Sequence, residues 1–481
     1  MRCLTLAQQL SQMGETVQFI CRMLPGNLID TIESTGFPVH RLQNLIVDQQ
    51  QDADQTIAAI TTALKEKINW LIVDHYELDE SWEIALRPYV KKIMVIDDLA
   101  NRRHNCDLLL DQTFNRDAQD YISLVAKTCQ LLLGSDYALL RSEFSRKRQQ
   151  AQQKRQRTFA IKKVLISFGA ADPENITGLL LQELMKQQPL NLQFDVIIGS
   201  HMKYYAQLCA QHYPDYIQIH KNVENMSDYM LDADIAVGAA GSTAWERCCL
   251  GLPTLLIVIA DNQEKIAREL NNRGAAKSLG KVTNLNMKAV IKILEQGAHQ
   301  PDIFTRMSQS AMQICDGYGV KRVAAALQSV YARDGQAIYL RPANMADADI
   351  MLSWQQHPST RQYARNPKPP TKDEHYQWMT KRLVDQNCIF HIIMHGSVPA
   401  GVLRLDRQMD DDNTYEISIL TSPNCRQQGI GSGALQLIRR MFPEFNLRAE
   451  VLADNEVSQT LFAKSGYIVE DGIYINKARS I

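Results

Sequence analysis

Three stretches of this chain bring together residue types that do chemistry. In residues 238–253, Gly238, Gly241, Ser242, Thr243 and Glu246 lie between an apolar run at 232–237 and a segment of helical spacing that stops at Gly251, Leu252 and Pro253. A strand, a glycine turn and a helix start leave backbone N–H groups without intrahelical partners, and such groups donate to a diphosphate. Glu246 falls one turn beyond Ser242 and Thr243 on the same face, where a carboxylate accepts two hydrogen bonds from a ribose diol. Thr243 and Glu246 equally fit a capping box, which satisfies the helix's own first N–H groups and binds nothing. The second stretch, 426–433, sets Gly429, Gly431 and Gly433 before a helix expected over 434–441, again suited to a pyrophosphate. The third is the set Asp74, His75 and Tyr76, Asp97 and Asp98, and Asp111, each at the end of an apolar run.

The elements that must position these groups follow from periodicity. Leu4, Ala7, Leu10 and Met13 define one face of a helix over 2–13, and 16–21 reads as a strand. Apolar runs at 70–74, 92–97 and 107–111 alternate with helical or loop sequence, which argues for a parallel sheet whose ligands gather at the strands' carboxyl ends. The same pattern restarts with strands at 163–168, 194–198, 217–220, 232–237 and 254–259. Between the two halves, residues 145–157 are basic and glutamine-rich without interleaved aromatics, as expected of a solvated linker helix rather than a nucleic-acid patch. The loop 169–175 opens a helix over 176–185; Asp172 and Pro173 suit its first turn, and the loop suits a phosphate equally well. From Ile338 the texture changes to an antiparallel meander over 389–393, 400–405 and 414–420. Gly429, Gly431 and Ala434 match a dinucleotide fingerprint only weakly, and a hairpin in place of βαβ units rejects that reading.

The expectation is therefore an α/β chain of three domains: a pair of parallel-sheet Rossmann-type halves, 1–150 and 158–334, then a mixed-sheet domain over 338–481. A length of 481 residues accommodates that number. A net charge of −1, with 22% charged residues, removes the electrostatic case for nucleic acid or a membrane surface as partner. No apolar run reaches the length of a membrane span. The ten cysteines lack metal-ligand spacing and read as reduced, cytoplasmic thiols. No metal site is expected.

Residues 338–481 resemble the GCN5-related N-acetyltransferases (GNAT) through 426–431, Asn455, Ser458 and the ending 461–467. The resemblance implies acetyl-CoA as co-substrate, its pyrophosphate on Arg426, Gln427, Gln428, Gly429, Ile430, Gly431, Ser432 and Gly433. It implies that strand residues 417–421, Leu420 and Thr421 among them, pair with the pantetheine arm, and that Asn455 and Ser458 lie beside it. Glu416 matches the position of a general base. Many relatives carry a tyrosine where this chain has Phe462, so Tyr467 or a water stands in as the acid. Trp354, Arg361, His375 and Trp378 are candidates for the acceptor pocket.

Residues 1–335 resemble the nucleotide-sugar hydrolases of the pseudaminic acid pathway, a GT-B branch close to the UDP-N-acetylglucosamine transferases. The carriers are 1–7, 74–76, Asp97 and Asp98, 104–107, 134–141, 169–172 and 241–246. The resemblance implies a UDP-sugar substrate, with Glu246 on the ribose, Ser242 and Thr243 at the diphosphate with Gly169 and Gly241, and backbone from Val223 to Met226 reading uracil. That family removes UDP from UDP-2,4-diacetamido-2,4,6-trideoxy-β-L-altrose by attack of water at the anomeric carbon, without metal. Its presumed base is a histidine on a loop preceding the residues that match Met1, Arg2 and Cys3. The resemblance thus implies roughly twenty further residues, one strand and a loop, ahead of Met1. Within the chain, His75 and Tyr76 are the hydrolytic candidates. Acetylation of a 4-amine is the step before UDP removal, so the two resemblances fit one another. A glycosyltransferase fused to an acetyltransferase, or a UDP-sugar-binding scaffold inactive as a hydrolase beside an active acetyltransferase, are the alternatives.

Overall fold

The computed structural model describes residues 1–43, 48–63, 68–156, 161–169, 172–186, 191–298, 300–364, 366–408, 411 and 413–479. The chain forms two compact units, one of Met1–Gln8 with Thr16–Val320, the other of Gln9–Glu15 with Lys321–Ile481.

Among the described residues, the first unit holds three parallel sheets. Strands β1 (Phe19–Arg22) and β2 (Val39–Leu42) pair with each other. Strands β3 (Ile68–Val73), β4 (Val90–Ile96), β5 (Leu108–Asp111) and β6 (Gln130–Leu133) form a second sheet in that order. Ile93, Met94, Leu109 and Leu110 are wholly buried, as an apolar run covered on both faces of a parallel sheet requires. The register sets Val73 beside Val95 and Ile96 beside Leu110, so Asp74, Asp97, Asp98 and Asp111 share one rim.

The third sheet contains β7 (Lys163–Ser167), β8 (Gln193–Ile198), β9 (Ile217–Lys221), β10 (Ile235–Ala239), β11 (Thr254–Val258) and β12 (Lys277–Lys281). Its order is β12-β11-β10-β7-β8-β9. The connections run outward in opposite directions from β7 and β10, so a crevice opens at the carboxyl ends of those two strands, where doubly wound sheets bind ligands. Gly238 is dictated by packing between them: a Cβ there would meet the Ser167 carbonyl at 2.5 Å. Val164, Leu165, Ile235 and Val237 are at most 1% exposed, each contributing about 1.5–3 kcal/mol by burial.

The expectation of a solvated linker helix fails. Residues Ser142–Arg155 form a helix in which Arg148, Lys154 and Arg155 turn inward onto carbonyls of the second half, while Arg146 bonds Ser142 of its own helix. Arg148 donates to the carbonyls of Cys249, Met312 and Cys315 at 2.6–2.8 Å. Arg155, 2% exposed, donates to those of Met230, Ala233 and Leu250 at 2.7–3.2 Å. Helix C-termini leave carbonyls unpaired, and guanidinium groups satisfy them while complementing the dipole. Arg157, also part of that expectation, lies outside the described residues. The two halves meet further where Ser135 Oγ donates to the Ile314 carbonyl and where Lys265 pairs with Asp120 at 3.0 Å.

The second unit is built on one eight-stranded mixed sheet. Its strands are β13 (Val330–Tyr331), β14 (Ala337–Pro342), β15 (Cys388–His395), β16 (Val398–Arg407), β17 (Thr414–Thr421), β18 (Asn446–Ala449), β19 (Ile468–Glu470) and β20 (Ile473–Asn476). They lie in the order β13-β14-β15-β16-β17-β18-β20-β19, antiparallel except for β17 with β18. Because β13 pairs with β14, this sheet begins ahead of residue 338. The helix expected from Ala434 starts at Ile430 and runs to Met441. Gly429 caps it in the left-handed region, φ +83°, and Gly433 sits in its first turn because a Cβ there would meet Ile338 Cδ1 at 2.5 Å.

Among the described residues, no helix is long and apolar enough to cross a membrane, and no group of three or more His, Cys, Asp or Glu side chains is placed to hold a metal ion. All ten cysteines are free thiols.

Candidate functional site

In the first unit the crevice of the β7–β10 sheet is flanked by Gly169 after β7 and by Gly241, Ser242 and Thr243 after β10. Residues 170 and 171 of the first loop lie outside the described residues. Gly169 has φ +87° and no atom within 4 Å of a Cβ built on it, so its backbone is open. Asp172 serves the helix that follows, while the Gly169 backbone stays open for an anion. Its carboxylate accepts the N–H groups of Ile176 and Thr177 at 3.0 and 2.9 Å, so this helix start is already capped by an anion.

The start after β10 differs. Ser242 is the exposed N-cap of the helix Thr243–Cys249 and makes no side-chain capping bond. Thr243 Oγ1 instead accepts from Arg247 at 3.2 Å, and Glu246 takes no part in capping. The capping-box reading of Thr243 and Glu246 is thereby set aside. Glu246, with its side chain 17% exposed, stands 3.9 Å from the guanidinium of Arg141. Desolvation outweighs Arg141 and Arg247 and raises the Glu246 carboxyl to about 7. Burial lowers the Arg247 guanidinium to about 10.

Arg141 is the residue that sequence reasoning missed. It stacks over Phe144 and donates to the Glu224 carbonyl at 2.9 Å, so it holds the segment containing Val223 and Met226 beside Glu246. Its signal was its place at the end of 134–141. Val223 and Met226 are half-buried against the core.

The rim of the β3–β6 sheet is a second polar cluster. Asp74 accepts from Arg2 at 2.6 and 3.0 Å; burial raises its carboxyl, and Arg2 outweighs burial to hold it below the usual range. Asp97 is bound by Arg102, Tyr121 and the Ala100 N–H, all at 2.9 Å. Arg116 and Tyr121 bind Asp111. Tyr76, 49% exposed, donates to Asp98 Oδ2 at 3.2 Å. Burial, then the charges of Asp111 and Asp97, raise the Asp98 carboxyl. His75 is exposed, and its Nδ1 accepts the Glu77 N–H at 3.1 Å. That bond spends the lone pair of Nδ1 and puts the neutral ring's proton on Nε2, so the ring stabilises a turn.

In the second unit, β17 pairs with β16 from Tyr415 to Thr421 but with β18 only from Thr414 to Glu416. Beyond Glu416 the two strands diverge, and one edge of Ile417, Ser418, Ile419, Leu420 and Thr421 has no strand partner among the described residues. That edge fits an extended amide chain. Glu416 is at the apex of the splay, beside Asp406 and Arg448 in register. Thr421 leads to Arg426, Gln427 and Gln428, with Gln427 at φ +60°, and then to the Gly429 cap. No side chain caps the helix Ile430–Met441, so N–H groups of its first turn, with Ile430, Gly431 and Ser432, are not satisfied by a cap. Gly433 is buried and serves packing instead. Asn455 Oδ1 accepts the Ser458 N–H at 3.1 Å, so both residues start the helix Glu456–Lys464.

Tyr467 is 5% exposed, edge-on to Phe462, with its hydroxyl buried and burial raising its pKa. Its charged neighbour is Arg439, in the last turn of the helix Ile430–Met441 and about 13 Å along the axis from Ile430. This is a core position at the end away from the glycine turn. Trp354 and His375 are likewise core, His375 stacked on Trp378, and Arg361 closes its own loop onto the Asn366 carbonyl.

The fold and these sites define the class. Residues 147–318 match the glycosyltransferase family 28 C-terminal domain, and residues 337–468 match the acetyltransferase (GNAT) domain. The chain thus joins a GT-B-like parallel-sheet unit to a mixed-sheet GNAT domain. Its relatives narrow the first unit. An uncharacterized protein of Methanocaldococcus jannaschii is 25% identical over 97% of this chain and 93% of its own. The UDP-2,4-diacetamido-2,4,6-trideoxy-beta-L-altropyranose hydrolase of Campylobacter jejuni is 28% identical over 57% of this chain and 90% of its own. MurG of Acinetobacter baumannii shares the fold, with a TM-score of 0.50 at 15% identity over 68% of this chain and 95% of that one.

Proposed function

We propose that the chain is a bifunctional nucleotide-sugar enzyme of pseudaminic acid biosynthesis, working in the cytoplasm. Its second unit N-acetylates a UDP-4-amino sugar with acetyl-CoA. Its first unit hydrolyses UDP from the resulting UDP-2,4-diacetamido-2,4,6-trideoxy-β-L-altrose, with inversion and without metal. The observation that carries this reading is the Arg141–Glu246 arrangement at the β7–β10 crevice, in a unit homologous to the Campylobacter jejuni hydrolase.

In the first unit, Glu246 accepts the ribose hydroxyls, the turn at Gly241, Ser242 and Thr243 faces the diphosphate with Gly169, and Arg141 fixes the Val223–Met226 backbone against uracil. Water attacks the anomeric carbon as the bond to the β-phosphate oxygen breaks. In the second unit, the uncapped helix start after Gly429 suits a pyrophosphate and the open β17 edge suits pantetheine, so the residues fit acetyl-CoA. Glu416 takes a proton from the sugar's ammonium group, and the neutral nitrogen attacks the thioester carbon. The C–S bond breaks with its electron pair on sulfur, so CoA leaves as a thiolate that takes a proton from water while the new amide nitrogen gives up its extra proton.

The glycosyltransferase-28 match supports a second reading, transfer of the sugar to an acceptor. One mixture tests both: the chain, UDP-4-amino sugar and acetyl-CoA, assayed for CoA thiol and UDP, with acetyl-CoA omitted as control. Acetyl-CoA-dependent release of both products without acceptor is expected. Thiol without UDP, reversed by adding an acceptor, would support the transferase instead.

A further inference from the structure

Arg247, on the helix Thr243–Cys249, is 2% exposed, and its hydrogen-bond partners among the described residues are neutral. Nη1 donates to Thr243 Oγ1 at 3.2 Å, Nη2 donates to the Ala239 carbonyl at 2.5 Å, and Nε is buried without a partner. A buried charge is costly unless an opposite charge or a full set of acceptors meets it. Other enclosed guanidinium groups of this unit satisfy that condition. Arg102 and Arg116 bond Asp97 and Asp111, and Arg155 directs all three of its nitrogens to carbonyls at helix ends. Arg247 has no bonded anion among the described residues. Glu246 precedes it in sequence, but successive side chains of a helix point about 100° apart, and Glu246 faces Arg141 instead.

The place of the guanidinium says which anion it awaits. Ala239 ends β10 and Thr243 follows residues 240–242, so Arg247 bridges the two ends of the turn at the crevice. Gly238 admits it, since a Cβ there would stand 2.9 Å from Nη1. Thr243 is half-buried, and its hydroxyl proton has no acceptor among the described residues. A hydroxyl that accepts a hydrogen bond from a cation becomes a stronger donor.

Resting on the UDP-sugar reading of the first unit, we infer that Arg247 is a positioning residue for the diphosphate. Its guanidinium orients and polarises the Thr243 hydroxyl, which donates to a phosphate oxygen, and the anion meets the buried charge. Glu246 and the Val223–Met226 backbone serve ribose and uracil on the same reading, so separate groups hold the nucleoside and the phosphates. Arg247 and Thr243 thereby distinguish a nucleoside diphosphate from the bare nucleoside.

The experiment measures the affinity of the full chain for UDP and for uridine by calorimetry, with chemical unfolding of each variant alongside. Arg247→Gln and Thr243→Val are each expected to lose about 10- to 100-fold in UDP affinity while keeping uridine within about twofold. The double variant should lose less than the product of the two, because one residue acts through the other. Arg247→Lys, which keeps the charge, and Thr243→Ser, which keeps the hydroxyl, should each recover most of the UDP affinity. A folded Arg247→Gln with wild-type UDP affinity overturns the inference and leaves the UDP reading intact. An equal loss of UDP and uridine, not recovered in Arg247→Lys, reduces Arg247 to a structural role and overturns it too. If Arg247→Gln does not fold, Thr243→Val decides, and undiminished UDP affinity there overturns the inference. A wild-type chain that binds neither UDP nor uridine overturns the reading on which the inference rests.

Discussion

Arg141 and Glu246 lie on opposite halves of the first unit, guanidinium and carboxylate 3.9 Å apart, and the same guanidinium holds the Glu224 carbonyl. A pair at that distance is electrostatically coupled but not hydrogen-bonded, so both Glu246 oxygens retain lone pairs for a diol.

Glu246 should make the first unit pH-sensitive. An unfolded glutamate loses its proton near 4.5 and this one near 7, so between those values the unfolded chain binds fewer protons. Stability contributed by the protonated form is complete below about 4.5 and falls as pH rises through about 7, by at most about 3 kcal/mol at 1.36 kcal/mol per unit. Glu246→Gln should flatten that slope in chemical denaturation and weaken UDP-sugar binding about tenfold. An unchanged slope would remove Glu246 from the account.

Glu416 should separate chemistry from binding in the second unit. Glu416→Gln is expected to lower kcat for thiol release by about 100-fold or more while leaving the KM for acetyl-CoA within about twofold. UDP release from a substrate already acetylated should be untouched.

Tyr467 offers the opposite outcome. Its hydroxyl is buried without a partner, which costs stability. Tyr467→Phe should leave acetyl transfer within about twofold and raise stability by up to about 1 kcal/mol. A large fall in kcat, with the fold intact, would restore Tyr467 as the acid.

Arg155 tests the inward-turned helix. Arg155→Ala takes the guanidinium from the carbonyls of Met230 and Leu250 and leaves that of Ala233 to Lys154, and should cost on the order of 2 kcal/mol in the unfolding of the first unit. Arg155→Lys keeps the charge, spans fewer of those acceptors, and should recover less than half of the loss.

Much of this was legible in residue order. Val164, Leu165 and Ile166 announce β7 because a strand covered on both faces has no polar positions to show, and Gly429 announces a helix start because the left-handed region favours glycine. What stayed hidden depends on partners distant in sequence. Arg148 and Arg155 of the helix Ser142–Arg155 read as solvated until the carbonyls of Met230, Cys249 and Cys315 stand beside them. Gly433 sits in a glycine-rich turn, yet only the approach of Ile338 shows that its reason is packing. Arg141 has the composition of any surface arginine, and its meaning comes from Glu246, on the other half.

The divergence of β17 from β18 gives an interior strand the character of a boundary. Along Ile417, Ser418, Ile419, Leu420 and Thr421, alternate amides point towards β16 and are bonded, while the intervening ones face the splay. Deuterium uptake in this stretch should therefore alternate from residue to residue. A bound pantetheine arm would act as a strand without side chains, and its arrival would register as the disappearance of that alternation.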